Sequence, residues 1–232
     1  MRLKIFGLEE EILLSIDCST ILVIEDINFF TKQTLLLDRM INDKYETNEL
    51  VFIEHDKKIN VSKDFLFISD LYHLPLDPKK IVTKAIKLVS GILNLEYEDK
   101  NEIERHLVQC VNIIQNVLLD IDFELESNDS IDVVELLKDM NIKPKTQDTF
   151  KLIDILIYFF DYIATFDIDK KIVFINLNLY FDEQDLQTIL TYIQYKKINV
   201  LFLSNMRYNS HIFENQIVID KDYYLYRPIK NN

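Results

Sequence analysis

The sequence predicts a mixed α/β fold in which a parallel sheet is interrupted by an inserted α-helical domain. Three observations lead there. Lys171–Leu177 (KIVFINL) and Asn199–Leu203 (NVLFL) are continuous apolar runs, the mark of strands buried on both faces of a sheet. The segment between them carries a helical period, so strand, helix and strand form a βαβ unit with parallel strands. Strand patterns dominate before residue 74 and after residue 170, whereas the stretch between reads almost wholly as helix.

Element by element, Leu3–Phe6, Ile12–Ile16 and Thr20–Ile24 are short runs rich in β-branched and aliphatic residues, which predicts strands. Ile27–Met40 predicts a helix with Phe30, Thr34, Leu37 and Ile41 on one face. Leu50–Glu54 and Asp64–Ile68 predict two further strands. From Pro78 onward Ile81, Ala85, Leu88 and Val89 keep a helical period. Asn101–Leu119 predicts a stronger helix striped by Ile103, Leu107, Cys110, Ile114, Val117 and Leu118. Ser130–Met140 and Gln147–Ala164 predict two more. Asp182, with Asp185 three residues on, caps a helix reaching about Tyr195. Gln216–Ile219 and Tyr223–Tyr226 close the chain as short strands. The expected division is residues 1–73 and 145–232 for the α/β domain and 74–144 for the helical insertion.

Composition excludes several functions. With 2 Gly in 232 residues, Gly7 and Gly91 far apart, neither a phosphate loop nor a dinucleotide fingerprint is present. His55, His73, His106 and His211 stand in no catalytic or metal motif, and neither G-x-S-x-G nor H-E-x-x-H occurs. Cys18 and Cys110 have no ligand spacing and read as reduced, buried thiols. No apolar run approaches the roughly 20 residues that span a bilayer, and the first residues lack the apolar core of a signal peptide, so a cytoplasmic protein is expected. The net charge of -13 argues against nucleic acid by default, although one surface can depart from the total.

Charge is unevenly placed. In Leu119–Asp132 (LDIDFELESNDSID), carboxylates fall at Asp120, Asp122, Glu124 and Glu126, with Asp129 and Asp132 close behind. Four like charges on one side of an extended segment repel unless solvent or a cation compensates them. A solvated acidic loop is one reading. A calcium site is the other, since Ca²⁺ takes six to eight oxygens and Asn128 and Ser130 add to the supply, although the spacing and missing glycine exclude an EF-hand. Lys79, Lys80, Lys84 and Lys87 gather in DPKKIVTKAIK, with Lys80, Lys84 and Lys87 on one helical face; Lys57 and Lys58 sit beside Lys63. These are either solvated or contacts for phosphates. Glu25, Asp26, Asn176 and Asn178 end predicted strands, where α/β proteins build sites, and leave a carboxylate–metal nuclease open.

Two segments carry a family resemblance. Ile21–Leu37 (ILVIEDINFFTKQTLLL) couples a strand to an E-D pair, an aromatic, a lysine and a glutamine. Ile172–Leu203 (IVFINLNLYFDEQDLQTILTYIQYKKINVLFL) carries V-F-x-N-x-x-x-Y-F-x-x-x-[DE]-L, and IVIDKDYYL follows near the end. In this order they resemble the type II-A CRISPR-associated spacer-acquisition proteins of the Csn-two family, in its short form. The resemblance implies a parallel-sheet head domain with a degenerate NTPase-like topology lacking a phosphate loop, and a helical leg domain. It implies a homotetrameric ring that holds double-stranded DNA, preferring linear ends, without catalysis. It implies calcium held in the leg, on Asp120, Asp122, Glu124 and Glu126, with Asp129 and Asp132 as further ligands. It implies work beside the adaptation integrase proteins and the effector nuclease. Lys79, Lys80, Lys84, Lys87, Lys57 and Lys58 are the lysines expected to face DNA. A divalent-metal nuclease and a protein-binding scaffold without DNA binding are the alternatives.

Overall fold

The computed structural model describes residues 1–14, 20–123, 125–145, 151–208, 212–213 and 215–228. The chain divides into two compact units, one of Met1–Leu74 with Asp148–Asn232 and one of Pro75–Gln147.

The first unit is built on two sheets. β1 (Arg2–Ile5), β2 (Ile12–Leu13), β4 (Leu50–Glu54) and β5 (Lys57–Lys58) form an antiparallel sheet in the order β2-β1-β4-β5. β3 (Thr20–Ile24), β6 (Phe65–Ile68), β7 (Lys171–Ile175), β8 (Asn199–Ser204), β9 (Asn215–Ile219) and β10 (Leu225–Tyr226) form the larger one, in the order β10-β9-β3-β8-β7-β6. All its neighbours are parallel except β10, which returns antiparallel to β9. The β7–β8 pair is parallel, as the intervening helix requires.

Alternation along the buried strands sends side chains to two separate layers. Leu22, Ile24, Val173, Leu201 and Ile217 face a core shared with Leu3, Ile5 and Phe52 of the small sheet and with Phe30, Leu37 and Met40 of α1 (Ile27–Asn42). Phe174 and Phe202 point to the opposite layer, where Phe174 meets Phe159 and Phe160 of α6 (Leu152–Phe166) and Phe202 meets Phe213. α7 (Glu183–Lys196) buries Leu186, Ile189, Leu190 and Ile193; Asp182 accepts from Asp185 N–H at 2.8 Å to start it. β3 is buried at all five positions because it has strands on both edges and cover on both faces.

Several boundaries differ from the sequence expectation. The predicted strand over Asp64–Ile68 is shortened by a single helical turn, α2 (Val61–Asp64), which Asn60 caps by accepting from Lys63 N–H at 3.2 Å. The predicted strand Ile12–Ile16 is observed as Ile12–Leu13, and its end lies outside the described residues. Lys171–Leu177 stops at Ile175, because Asn176 takes a left-handed φ of 47° and turns the chain into a short 3₁₀ turn at Leu177–Leu179.

Among its described residues the second unit forms three helices: α3 (Pro78–Leu95), α4 (Tyr97–Leu119) and α5 (Val133–Asp139). Asp77 caps α3 by accepting from Lys79 N–H at 2.9 Å, with Pro78 in the first turn where its missing N–H costs nothing. Among its described residues this unit buries only Ile81, Val111, Val133 and Leu137 fully. The stripe of α4 that packs runs through Leu107, Val111 and Leu118, so the expected burial of Cys110 is corrected: its thiol is exposed. One buried stripe is all that two neighbouring helices can cover on a third. Cys18 lies outside the described residues.

Candidate functional sites

The lysines of α3 follow from its cap. With Asp77 fixed on the Lys79 N–H, Ile81 turns inward and is buried, which leaves Lys79, Lys80 and Lys87 exposed. Among the described residues none of these three ammonium groups has an ion-pair partner. Lys84, on the same face as Lys80 and Lys87, is half-buried.

Lys57 and Lys58 belong to the other unit, on the edge strand β5. The β4–β5 hairpin turns through His55 and Asp56, both left-handed at φ 49° and 59°, as the tight two-residue turn demands. Lys58 Nζ donates to the Thr47 carbonyl at 3.2 Å, and Lys57 is exposed.

The acidic segment begins where α4 ends, with Asp120 at its C-cap. Asp122, Glu126 and Asp129 line one concavity of about 820 Å³, together with Leu118, Ile121 and Phe123. Two carboxylates are already engaged. Asp129 accepts from Gln115 Nε2 at 3.1 Å, and Asp132 accepts from Glu135 N–H at 2.7 Å while Glu135 reaches back, a complete capping box for α5. Glu124 lies outside the described residues. Among the described residues no three Asp, Glu, His or Cys side chains are gathered closely enough to hold a metal. The donor chemistry of Asp122, Glu126 and Asp129 nevertheless suits a hard, oxygen-seeking cation.

At the carboxyl ends of the parallel strands the residues are internally committed. Asp26 caps α1 by accepting from Phe29 N–H at 2.7 Å, and Glu25 pairs with Arg207, whose guanidinium lies 5.6 Å from the Tyr226 ring centre. Asn176 Oδ1 accepts from Asn205 N–H at 3.2 Å, and Ser204 Oγ accepts from Met206 N–H at 3.1 Å. A crevice in this position binds phosphate when it presents bare N–H groups and positive charge. Here Asp26 occupies the helix end and Glu25 adds a second carboxylate.

Two features had no expectation attached. Asp161 on α6 accepts from Tyr192 Oη at 2.6 Å and pairs with Lys196 at 2.6 Å. Burial opposes ionisation of Asp161, but the hydrogen bonds from Lys196 and Tyr192 outweigh it and hold its pKa below the usual carboxylate value. Burial likewise pushes the Tyr208 hydroxyl up. The second feature is a groove at the end of α1, lined by Lys44, Tyr45 and Lys58. Its parts are 13 residues apart in sequence, and only the lysine pair at 57–58 carried a signal.

No helix among the described residues is long and apolar enough to cross a membrane. Residues 42–223 match the model of the CRISPR-associated protein family Cas_Csn2. The chain is 28% identical over 231 residues to a CRISPR-associated protein Csn2 of Enterococcus faecalis, an alignment covering 97% of this chain and 98% of that protein. Its fold is similar to the crystal structure of Stu0660 of Streptococcus thermophilus, with a TM-score of 0.54 at 13% identity, over 99% of this chain and 76% of that one. The family match spans most of both units' sequence, so the chain belongs to the Csn2 family of CRISPR-associated proteins.

Proposed function

We propose that this chain acts in CRISPR adaptation as a non-catalytic clamp on double-stranded DNA, assembled as a homotetrameric ring and dependent on calcium. It works beside the integrase proteins of adaptation and the effector nuclease when new spacers are captured. The observation that carries the reading is the placement of Lys79 and Lys80 in the first turn of α3, exposed and, among the described residues, without ion-pair partners. A helix amino terminus is itself positive and ordinarily gathers acids. Lysines there raise the local potential, and a polyanion lowers it again. Lys84, Lys87, Lys57 and Lys58 extend the set. Contacts of this kind go to phosphates, which suits capture of any sequence.

Other features support the finer parts. The strand order fits an NTPase-like head in which Glu25 and Asp26 stand where a phosphate loop would follow β3. The outer stripe of α4, with Ile113, Ile114 and Val117 all more than half exposed, is the kind of surface that a ring buries between copies. Calcium would be held by Asp120, Asp122, Glu124 and Glu126, with Asp129 and Asp132 as further ligands, each of which already gives one oxygen to a hydrogen bond. Bound there, the cation supplies positive charge that cancels the repulsion of the segment.

The test is a mobility shift of linear and covalently closed circular DNA, with calcium and with chelator, read at several salt concentrations. The clamp gives a shift of linear DNA that needs calcium and weakens steeply with salt, because counterion release drives it. Absence of any shift under every condition overturns it and favours a protein-binding scaffold. Cleavage of the DNA with Mg²⁺ or Mn²⁺ overturns its non-catalytic part.

A further inference from the structure

The groove at the end of α1 has a volume of about 430 Å³, within the range of about 300–1,000 Å³ of small-molecule sites. Its position follows from how α1 stops. Tyr45 N–H donates to the Arg39 carbonyl at 3.0 Å, and Lys44 takes a left-handed φ of 57°, which swings residues 44–47 away from the helix axis. The opposite wall is the segment from β5 into α2, held by the Lys58 Nζ contact to the Thr47 carbonyl. Met40, Ile59 and Val61 line it and are all buried below a tenth exposure, so they provide an apolar floor.

What the walls leave unused is informative. Among the described residues the Lys44 ammonium has no partner, and the Tyr45 ring, 49% exposed, touches no other ring and its hydroxyl makes no hydrogen bond. Lys58 has two N–H bonds left after Thr47. Asn60 uses its Oδ1 on Lys63 N–H and Ser62 Oγ, which leaves its amide N–H₂ free to donate. Glu46 is the acid on the rim, outnumbered by the two lysines.

We propose that this groove is a binding site for a nucleotide bearing a terminal phosphate. A phosphomonoester carries close to two negative charges at neutral pH, which matches Lys44 and Lys58. A flat base fits the apolar floor and stacks on Tyr45, and the Asn60 amide donates to a carbonyl or ring nitrogen on its edge. A carboxylate side chain brings one charge and no ring face, and fits these walls less well. The inference goes beyond the clamp: it requires neither ring assembly nor duplex, and one occupant within the cell's DNA chemistry is the phosphorylated terminal nucleotide of a strand.

The experiment is equilibrium dialysis of the full chain against thymidine 5′-monophosphate, with thymidine and inorganic phosphate as separate ligands. Saturable binding of the nucleotide is expected, with each of the two fragments at least about tenfold weaker, the loss that one charged or stacking contact is worth. Lys44→Gln and Tyr45→Ala should each weaken it about fivefold or more. Lys44→Gly separates binding from folding, because glycine is the preferred residue at a left-handed helix end: it should raise the melting temperature and still lose the nucleotide. Absence of saturable binding overturns the proposal, as does binding that survives Lys44→Gly and Tyr45→Ala. Equal affinity for inorganic phosphate reduces the groove to an anion site and overturns the nucleotide assignment. Failure of duplex binding with dialysis intact sinks the clamp and leaves this site standing.

Discussion

In the sheet unit Phe159, Phe160, Phe174 and Phe202 are almost completely removed from water; in the helical unit Ile113, Ile114 and Val117 of α4 each keep more than half their surface exposed. The apolar residues of the two units are of similar kinds, so the difference lies in cover. A sheet with layers on both faces gives each strand two buried sides. Three helices give α4 one buried stripe and leave its other apolar stripe to solvent. The sheet unit therefore carries its stability within itself. The helical unit holds together through few buried side chains and through its caps, and its outer stripe gains a role when another surface covers it.

The largest effect that sharpens this contrast is Phe174→Ala. Removing a ring packed against Phe159, Phe160 and Phe202 should cost about 3–5 kcal/mol, read by denaturant unfolding. In the helical unit the corresponding weak point is a cap. Asp132→Ala deletes the side-chain half of the capping box, the oxygen that accepts from Glu135 N–H, and should cost about 1 kcal/mol, seen as faster amide exchange through α5. A cost equal to that of Phe174→Ala would break the contrast, because α5 would then anchor its unit as firmly as a core phenylalanine.

The smallest effect is a pH dependence in the sheet unit. The pKa of Asp161 is held below its ordinary value of 3.8, so its link to Tyr192 and Lys196 is fully present above that value and is lost as pH falls through the lowered one. Asp161→Asn should leave a melting curve that is flatter than that of the unaltered chain below pH 3.8, with the two running parallel above it. The side chain is only partly buried, and solvent screening keeps the effect modest.

Legibility followed the same divide. β7, α7 and β8 were readable because a continuous apolar run and a capped amphipathic helix each have one structural meaning, and their parallel pairing follows from the connection. The separate sheet of β1, β2, β4 and β5 was not, since alternation such as Leu3 and Ile5 buried against Lys4 exposed reports which face is wet and says nothing of which strand pairs with which. On α4 two apolar stripes coexist, and periodicity alone merged them: Ile103, Leu107 and Leu118 of the expected stripe are partly buried, whereas Cys110, Ile114 and Val117 are exposed. Lys79, Lys80 and Lys87 were readable as a local group on one helix. The groove of Lys44, Tyr45 and Lys58 was not, because a left-handed helix end and a hairpin bring it together, and neither announces itself without glycine.

The central strand β3 has a consequence for how the chain is made. Residues 20–24 pair with residues 201–204 on one edge and 215–219 on the other. During synthesis β3 emerges early and waits through nearly the whole chain for either neighbour. The helical unit, whose α3–α4 hairpin is closed by local contacts, is completed while those strands are still missing. Order of synthesis thus runs opposite to depth of burial: the thinly buried part is made whole first, and the well-buried part can close only once β9 leaves the ribosome and fills the open edge of β3.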